Sequence, residues 1–139
     1  MKIISWNVNS IRAREPLVEK LIRKENPDIL CLQELKTEDK RIIDNFFQLH
    51  GYENISAKQK SYNGVAIGYK NQNTIRTIDL DDLNTLQARN NCILIEDQKT
   101  VILNCYFPNG NPIGTDKFEL KTNWMEAMLE HLKELKREY

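Results

Sequence analysis

Apolar runs and helical stripes alternate along the first third of the chain, and both carry clear end signals. Residues 2–8 include Ile3, Ile4 and Trp6 and turn polar at Asn7 and Asn9, which predicts a buried strand with a polar end. Glu15-Pro16 opens a predicted helix with Leu17, Val18, Leu21 and Ile22 on one stripe, and Asn26-Pro27 stops it. Residues 28–33 then read as a second strand, so strand, helix and strand follow in order. That order favours a right-handed crossover and a parallel pair, with Asn7 and Glu34 at the same sheet edge. A second helix is expected over 38–50 through Ile42, Ile43, Phe46, Phe47 and Leu49, with Gly51 where a C-terminal cap belongs.

Beyond Tyr52 the signal changes to strands, at 64–69, 74–78, 91–96 and 99–107. The last two, joined by Asp97-Gln98, predict an antiparallel hairpin. Asp79 to Asn90 is polar and irregular, and is expected to form a surface excursion. From about Lys117 a helix follows, with Phe118, Trp124, Met128, Leu132 and Leu135 on one stripe. The sum is about six strands and three helices, an α/β chain expected to form roughly one sheet with helices on one face. Strands this continuously apolar must be covered on both faces, so something further is expected against the inner face.

Composition narrows the class without naming a function. A chain of 139 residues, 40% hydrophobic and 29% charged, fits one domain, with no repeat or low-complexity tract. The 20 Lys+Arg balance the 20 Asp+Glu, so any surface for a polyanion must be local. Cys31, Cys92 and Cys105 lie in apolar runs without CxxC spacing, and read as buried free thiols in a reducing compartment. No run approaches the roughly 20 apolar residues of a membrane span, so a cytoplasmic location is expected.

The chemistry lies at strand ends. Asp28-Ile29-Leu30-Cys31-Leu32 runs into Gln33-Glu34, which places one carboxylate where open α/β sheets bind ligands. Glu34 with Asn7 suits a hard divalent cation and a phosphate oxygen, because such ions take oxygen ligands. Taken alone, Glu34 reads more readily as a solvated or N-capping carboxylate at a strand end than as a metal ligand, and Asn7 as a turn residue. Tyr106 closes the strongest strand, where an aromatic is ordinarily core filler. There is no Ser/His/Asp or Cys/His nucleophile set and no Gly-rich phosphate loop.

Four strings in one order sharpen this reading: Trp6-Asn7-Val8-Asn9-Ser10-Ile11-Arg12-Ala13-Arg14, Leu32-Gln33-Glu34-Leu35-Lys36, Tyr62-Asn63-Gly64-Val65-Ala66-Ile67 and Tyr106-Phe107-Pro108-Asn109-Gly110. Together they closely resemble the exonuclease III group of apurinic/apyrimidinic endonucleases, within the endonuclease/exonuclease/phosphatase superfamily. The resemblance extends to the helix at Lys117-Phe118 to Trp124 and covers essentially all of residues 1–139. Members of that group are about twice this length, and their second half carries a Gly-Asp-x-Asn motif, a further metal-site aspartate and an Asp-His pair. This chain has no Gly-Asp dipeptide, and neither His50 nor His131 follows an aspartate. The resemblance therefore implies an N-terminal half of a four-layer α/β/β/α sandwich of the DNase I-like type.

It also implies roles. Glu34 becomes an inner ligand of Mg²⁺ or Mn²⁺, and Asn7 hydrogen-bonds beside the metal and orients an aspartate of the second half. Tyr106 is assigned to the scissile phosphate, while Asn109 and Gly110 make the turn. Arg12, Arg14 and Lys36 would hold flanking DNA phosphates, with Asn63 and Gly64 in a loop beside the DNA backbone. Members often show Asp-x-Glu-Gly-Arg before the strand near Asn91, whereas this chain reads Leu86-Gln87-Ala88-Arg89-Asn90-Asn91, so either Arg89 is a shifted equivalent that contacts DNA or that contact is absent. The implied full-length protein is a monomeric, Mg²⁺-dependent, bacterial-type repair nuclease, nucleoid-associated through its DNA. It incises duplex DNA 5′ of abasic sites and degrades it from 3′ ends. The half alone is expected to be inactive, marginally stable, and to expose an apolar inner sheet face. The rivals are a superfamily phosphodiesterase directed at sphingomyelin or inositol phosphates, disfavoured by Arg12-Ala13-Arg14 and Gln33-Glu34-Leu35-Lys36, and a non-catalytic binding fragment.

Overall fold

The computed structural model describes residues 1–58, 60, 62–70, 74–80 and 88–139. Its elements run β1 (Ile3–Asn7), α1 (Ile11–Glu25), β2 (Ile29–Gln33), α2 (Lys40–Leu49), β3 (Glu53–Ala57), β4 (Val65–Tyr69), β5 (Ile75–Ile78), β6 (Asn90–Ile95), β7 (Thr100–Cys105) and α3 (Asp116–Glu138). The predicted parallel pair forms, with Asn7 in register with Gln33, and so does the predicted hairpin, closed by a 3₁₀ turn at Glu96–Gln98.

The expectation of one sheet is corrected: the described strands form two, ordered β1-β2-β4-β3 and β5-β6-β7. Period-two alternation decides what each face meets. In the first sheet Ile4, Trp6, Leu30, Leu32 and Ala66 face α1 and α2, whereas Ile29, Cys31 and Ile67 face Ile93, Ile95 and Ile102 of the second sheet. The outer face of that second sheet, with Cys92, Val101 and Leu103, is covered by Trp124, Met128 and Leu135 of α3. All four layers of an α/β/β/α sandwich are present in this chain.

Other expectations change with it. β3 was not among the predicted strands, and as an edge strand it needs only Ile55 to face the opposite sheet. β1 is an edge strand rather than a fully buried one, and Ile3, Ser5 and Asn7 on its inner face are exposed. α1 begins at Ile11 rather than Glu15, because Ser10 supplies the cap by accepting from the Ala13 amide. Pro16 therefore lies inside the helix and gives up only the bond to the Arg12 carbonyl. In the excursion at 79–90, Leu80 is buried and Asn90 already belongs to β6, while residues 81–87 lie outside the described residues. The expected apolar inner sheet face is covered by the second sheet, and the exposed apolar surface lies instead on α3. Phe118 and Leu132 leave the predicted stripe: with Met125 and Leu129 they form a second stripe about 100° around the helix.

Candidate active site

Five chain segments meet at one end of the sandwich and are stitched together by backbone hydrogen bonds. The Val8 amide donates to Gln33, Ser10 to Glu34 and Ile11 to Leu35, tying the β1–α1 loop to the end of β2. Leu35 donates to Gly64 and Lys36 to Asn63, which adds the loop before β4. The Gly64 amide then crosses to the Ala88 carbonyl, and Tyr106 donates to Arg89, so both sheets share the same rim. Eight described non-glycine residues have left-handed φ, and six of them, Asn9, Ser10, Glu34, Lys36, Asn63 and Ala88, lie on this rim. Such conformations persist only where the surroundings over-determine them, as the backbone hydrogen bonds of this rim do. Gly64, at φ +85°, cannot be replaced freely, because a Cβ there would lie 3.2 Å from Leu35 Cβ.

Below the rim a buried amide network locks the two sheets. Gln33 Nε2 donates to Asn104 Oδ1 at 2.7 Å and to Ser5 Oγ at 2.9 Å, and Asn104 Nδ2 reaches the carbonyls of Leu32 and Ala66. Asn91 Nδ2 spans to the Ile55 and Val65 carbonyls. These bonds hold β6 and β7 in a fixed register over β2, β3 and β4 and thereby set Tyr106 against Glu34. Sequence reasoning assigned none of Gln33, Asn91 and Asn104 a role. The available signal was an amide inside an otherwise apolar run, Val101-Ile102-Leu103-Asn104-Cys105.

On the rim Asn7 Nδ2 donates to Glu34 Oε1 at 2.7 Å, and Lys36 Nζ lies 3.4 Å from Glu34 Oε2. Asn9, also unassigned from the sequence, donates its amide to Asn7 Oδ1 and accepts from Lys36 Nζ with its own Oδ1. Partial burial pushes the Glu34 carboxyl up, but hydrogen bonds from Asn7, Tyr106 and Lys36 outweigh it and hold the group below its ordinary 4.5. Tyr106 is pushed above its ordinary 10, first by burial and then by its hydrogen bond to Glu34, with Arg89 opposing. Arg89 is 8% exposed and its guanidinium lies 4.9 Å from the Tyr106 ring centroid, so it packs against the rim's phenol.

The remaining predicted residues divide. Arg12 and Arg14 both lie in the first turn of α1 rather than in the loop, two positions and therefore about 200° apart. Arg12 donates to Thr37 Oγ1 beside the β2–α2 loop, whereas Arg14 occupies a different face of the helix. Asn63 is buried under Lys36, its carbonyl taking the Lys36 amide. Asn109 makes the expected turn, its Oδ1 accepting from the Asn111 amide.

A carboxylate held ionised, flanked by an amide, a phenol and two cationic side chains, makes a donor set for a hard cation and a phosphate oxygen. It is a partial set, since no group of three or more His, Cys, Asp or Glu that could hold a metal occurs among the described residues. Fold and rim together give two stacked sheets, covered by helices, with polar groups gathered at one end. The chain belongs to the endonuclease/exonuclease/phosphatase family, whose model matches residues 4–135.

Among relatives, an exodeoxyribonuclease of Bacillus subtilis is 31% identical over 137 residues, a match covering 97% of this chain and 53% of the relative. Exodeoxyribonuclease III of Haemophilus influenzae is 32% identical over 139 residues, covering 95% of this chain and 51% of the relative. An AP endonuclease from Archaeoglobus fulgidus superposes with a TM-score of 0.84 at 31% identity over 96% of this chain and 51% of its own. A 3′ phosphatase from Neisseria, solved with a product DNA hairpin, gives 0.84 at 33% identity over 96% of this chain and 52% of its own. The chain spans about half the length of the curated relatives it matches. No described helix is long and apolar enough to cross a membrane.

Proposed function

We propose that this chain supplies the N-terminal half of a divalent-metal-dependent DNA phosphodiesterase of the exonuclease III type, which incises duplex DNA 5′ of abasic sites and degrades it from 3′ ends. The observation that carries this reading is the convergence of Asn7, Glu34 and Tyr106 from three strand ends onto one rim. The relatives' names support DNA as the substrate. An abasic nucleotide leaves the stack at low cost, which gives such a site a physical basis for selectivity.

Glu34 would hold Mg²⁺ or Mn²⁺, with the Asn7 amide fixing the carboxylate's orientation. When bound, the ion supplies charge neutralisation at the phosphate and stabilisation of the leaving oxygen. Tyr106 keeps its proton at neutral pH and turns its one O–H from Glu34 to a phosphate oxygen as charge develops there. Arg12 and Lys36 hold the flanking phosphates, contacts that position the duplex without reading its sequence. Arg89 braces the Tyr106 ring from behind. One carboxylate cannot both seat the ion and activate water, so the isolated chain leaves an abasic duplex uncut.

The test joins this chain to the second half of the Bacillus subtilis relative, by fusion or co-expression, and assays a duplex with one abasic site in Mg²⁺. Metal-dependent incision 5′ of the site is expected, lost in Glu34→Ala and reduced roughly a hundredfold in Tyr106→Phe. Hydrolysis of sphingomyelin or an inositol phosphate in place of DNA would sink the reading. Incision by the unassisted chain that Glu34→Ala abolishes would refute its inactivity.

A further inference from the structure

Both oxygens of the Glu34 carboxylate already have protein partners, and one of those partners is a cation. Asn7 Nδ2 takes Oε1, and the Lys36 ammonium stands 3.4 Å from Oε2. Asn7 and Tyr106 are neutral donors, and a carboxylate oxygen has lone pairs enough to keep them while it also binds a metal. An ammonium has no such compatibility with a divalent cation. The two repel each other and compete for the same lone pairs.

The local backbone makes this competition a built feature. Glu34 and Lys36 both have left-handed φ, at 56° and 53°, and Leu35 between them is fully buried. The two charged side chains therefore emerge on the same outward side. The Lys36 amide is pinned to the Asn63 carbonyl, so only its side chain can move. A second acceptor, Asn9 Oδ1, already engages the ammonium and can keep it when Glu34 is withdrawn. The side chains of Lys36 and Glu34 are 35% and 18% exposed, so the pair lies at the mouth of the rim rather than in open solvent.

We propose that Lys36 is an internal counter-ion that holds the Glu34 metal seat closed, and that metal entry displaces the ammonium from Glu34 onto Asn9. Lys36 is thus a positioning residue that sets the metal affinity of this rim. The inference rests on reading Glu34 as the metal seat, and its test separates the two.

Mn²⁺ binding is measured by calorimetry on this chain joined to the second half of the Bacillus subtilis relative, for the unaltered protein, Lys36→Gln, Lys36→Arg and Glu34→Gln, with melting curves confirming that each is folded. Lys36→Gln is expected to bind Mn²⁺ about tenfold more tightly than the unaltered chain. Lys36→Arg keeps the charge and should remain near the unaltered value, and Glu34→Gln should lose binding. In an NMR titration with diamagnetic Mg²⁺, the Lys36 side-chain resonances should shift as the ion binds. Equal or weaker Mn²⁺ affinity in Lys36→Gln overturns the counter-ion role and leaves the metal seat standing. Failure of every variant to bind, or binding that survives Glu34→Gln, overturns the seat itself and this inference with it.

Discussion

Glu34 and Tyr106 share a hydrogen bond that moves their two protons in opposite directions. Burial alone would raise both, but the bond favours the ionised carboxylate and the protonated phenol. The folded pKa of Glu34 lies below its ordinary 4.5, so its stabilising contribution is complete above that pH and is lost as pH falls through the lower folded value. Tyr106 behaves in the opposite sense, contributing below its ordinary 10 and losing that contribution as pH rises through its raised value. The Glu34 side-chain carboxyl, followed by ¹³C NMR, should therefore titrate below 4.5, and in Tyr106→Phe its midpoint should move up towards that value. Removing the phenol should also lower stability by about 1 kcal/mol, measured by urea unfolding. A midpoint unchanged by Tyr106→Phe would show that the two side chains are not bonded. At this scale the sequence was most informative: Asn7, Glu34 and Tyr106 were all legible, because each ends a strand within a recognisable string. Asn9 and Thr37 were not, since nothing in a local window says that Lys36 and Arg12 will reach them.

At the scale of elements, close approaches decide what each strand tolerates. Gly68 in β4 lies under Phe47 of α2, and a Cβ at that position would fall 2.1 Å from Phe47 Cε1. The ring occupies the space a side chain would need, and it is wedged edge-on between Phe46 and Tyr52. Gly68→Ala should therefore destabilise the chain by roughly 1–3 kcal/mol in urea unfolding, through overpacking. Pairing the change with Phe47→Leu should recover part of that loss. The apolar run at 64–69 was visible in the sequence, but the reason for its second glycine was not, because the clash lies with a helix some twenty residues earlier. β3 was invisible for a related reason. An edge strand with a single inward isoleucine carries almost no pattern, and its pairing with β4 supplies what its composition lacks.

For the whole molecule, the four-layer arrangement covers both sheets except along the β1 edge, and among the described residues it leaves a contiguous apolar surface open on α3. Phe118, Met125, Leu129 and Leu132 of α3, with Phe107 and Ile113, line a groove of about 790 Å³. Trp124 lies beneath it, packed edge-on at 4.8 Å against Phe107. Contiguous apolar surface of this kind attracts partners or promotes self-association. The isolated chain should bind an apolar fluorescent dye and self-associate with rising concentration in light scattering. Leu129→Glu should weaken both with little change in melting temperature, as Leu129 is half exposed. Retention of full dye binding in Leu129→Glu would place the open surface elsewhere. Sequence periodicity put Phe118 and Leu132 on one stripe with Trp124, and left Met125 and Leu129 out of it. It had no means of telling which of two neighbouring stripes the second sheet would cover.

Local pattern and motif by themselves determined the strand–helix–strand start, the parallel pair, the hairpin and the polar strand ends that carry the candidate chemistry. These depend on neighbours within about thirty residues, through side-chain period, caps and turns. Tertiary structure decided the division into two sheets, the inter-sheet bridges from Gln33, Asn91 and Asn104, and the meeting of Tyr106 with Glu34 across 72 positions of chain. Such contacts come from stacking faces whose partners are distant in sequence. Alternation along a strand marks a face for burial but does not say against what.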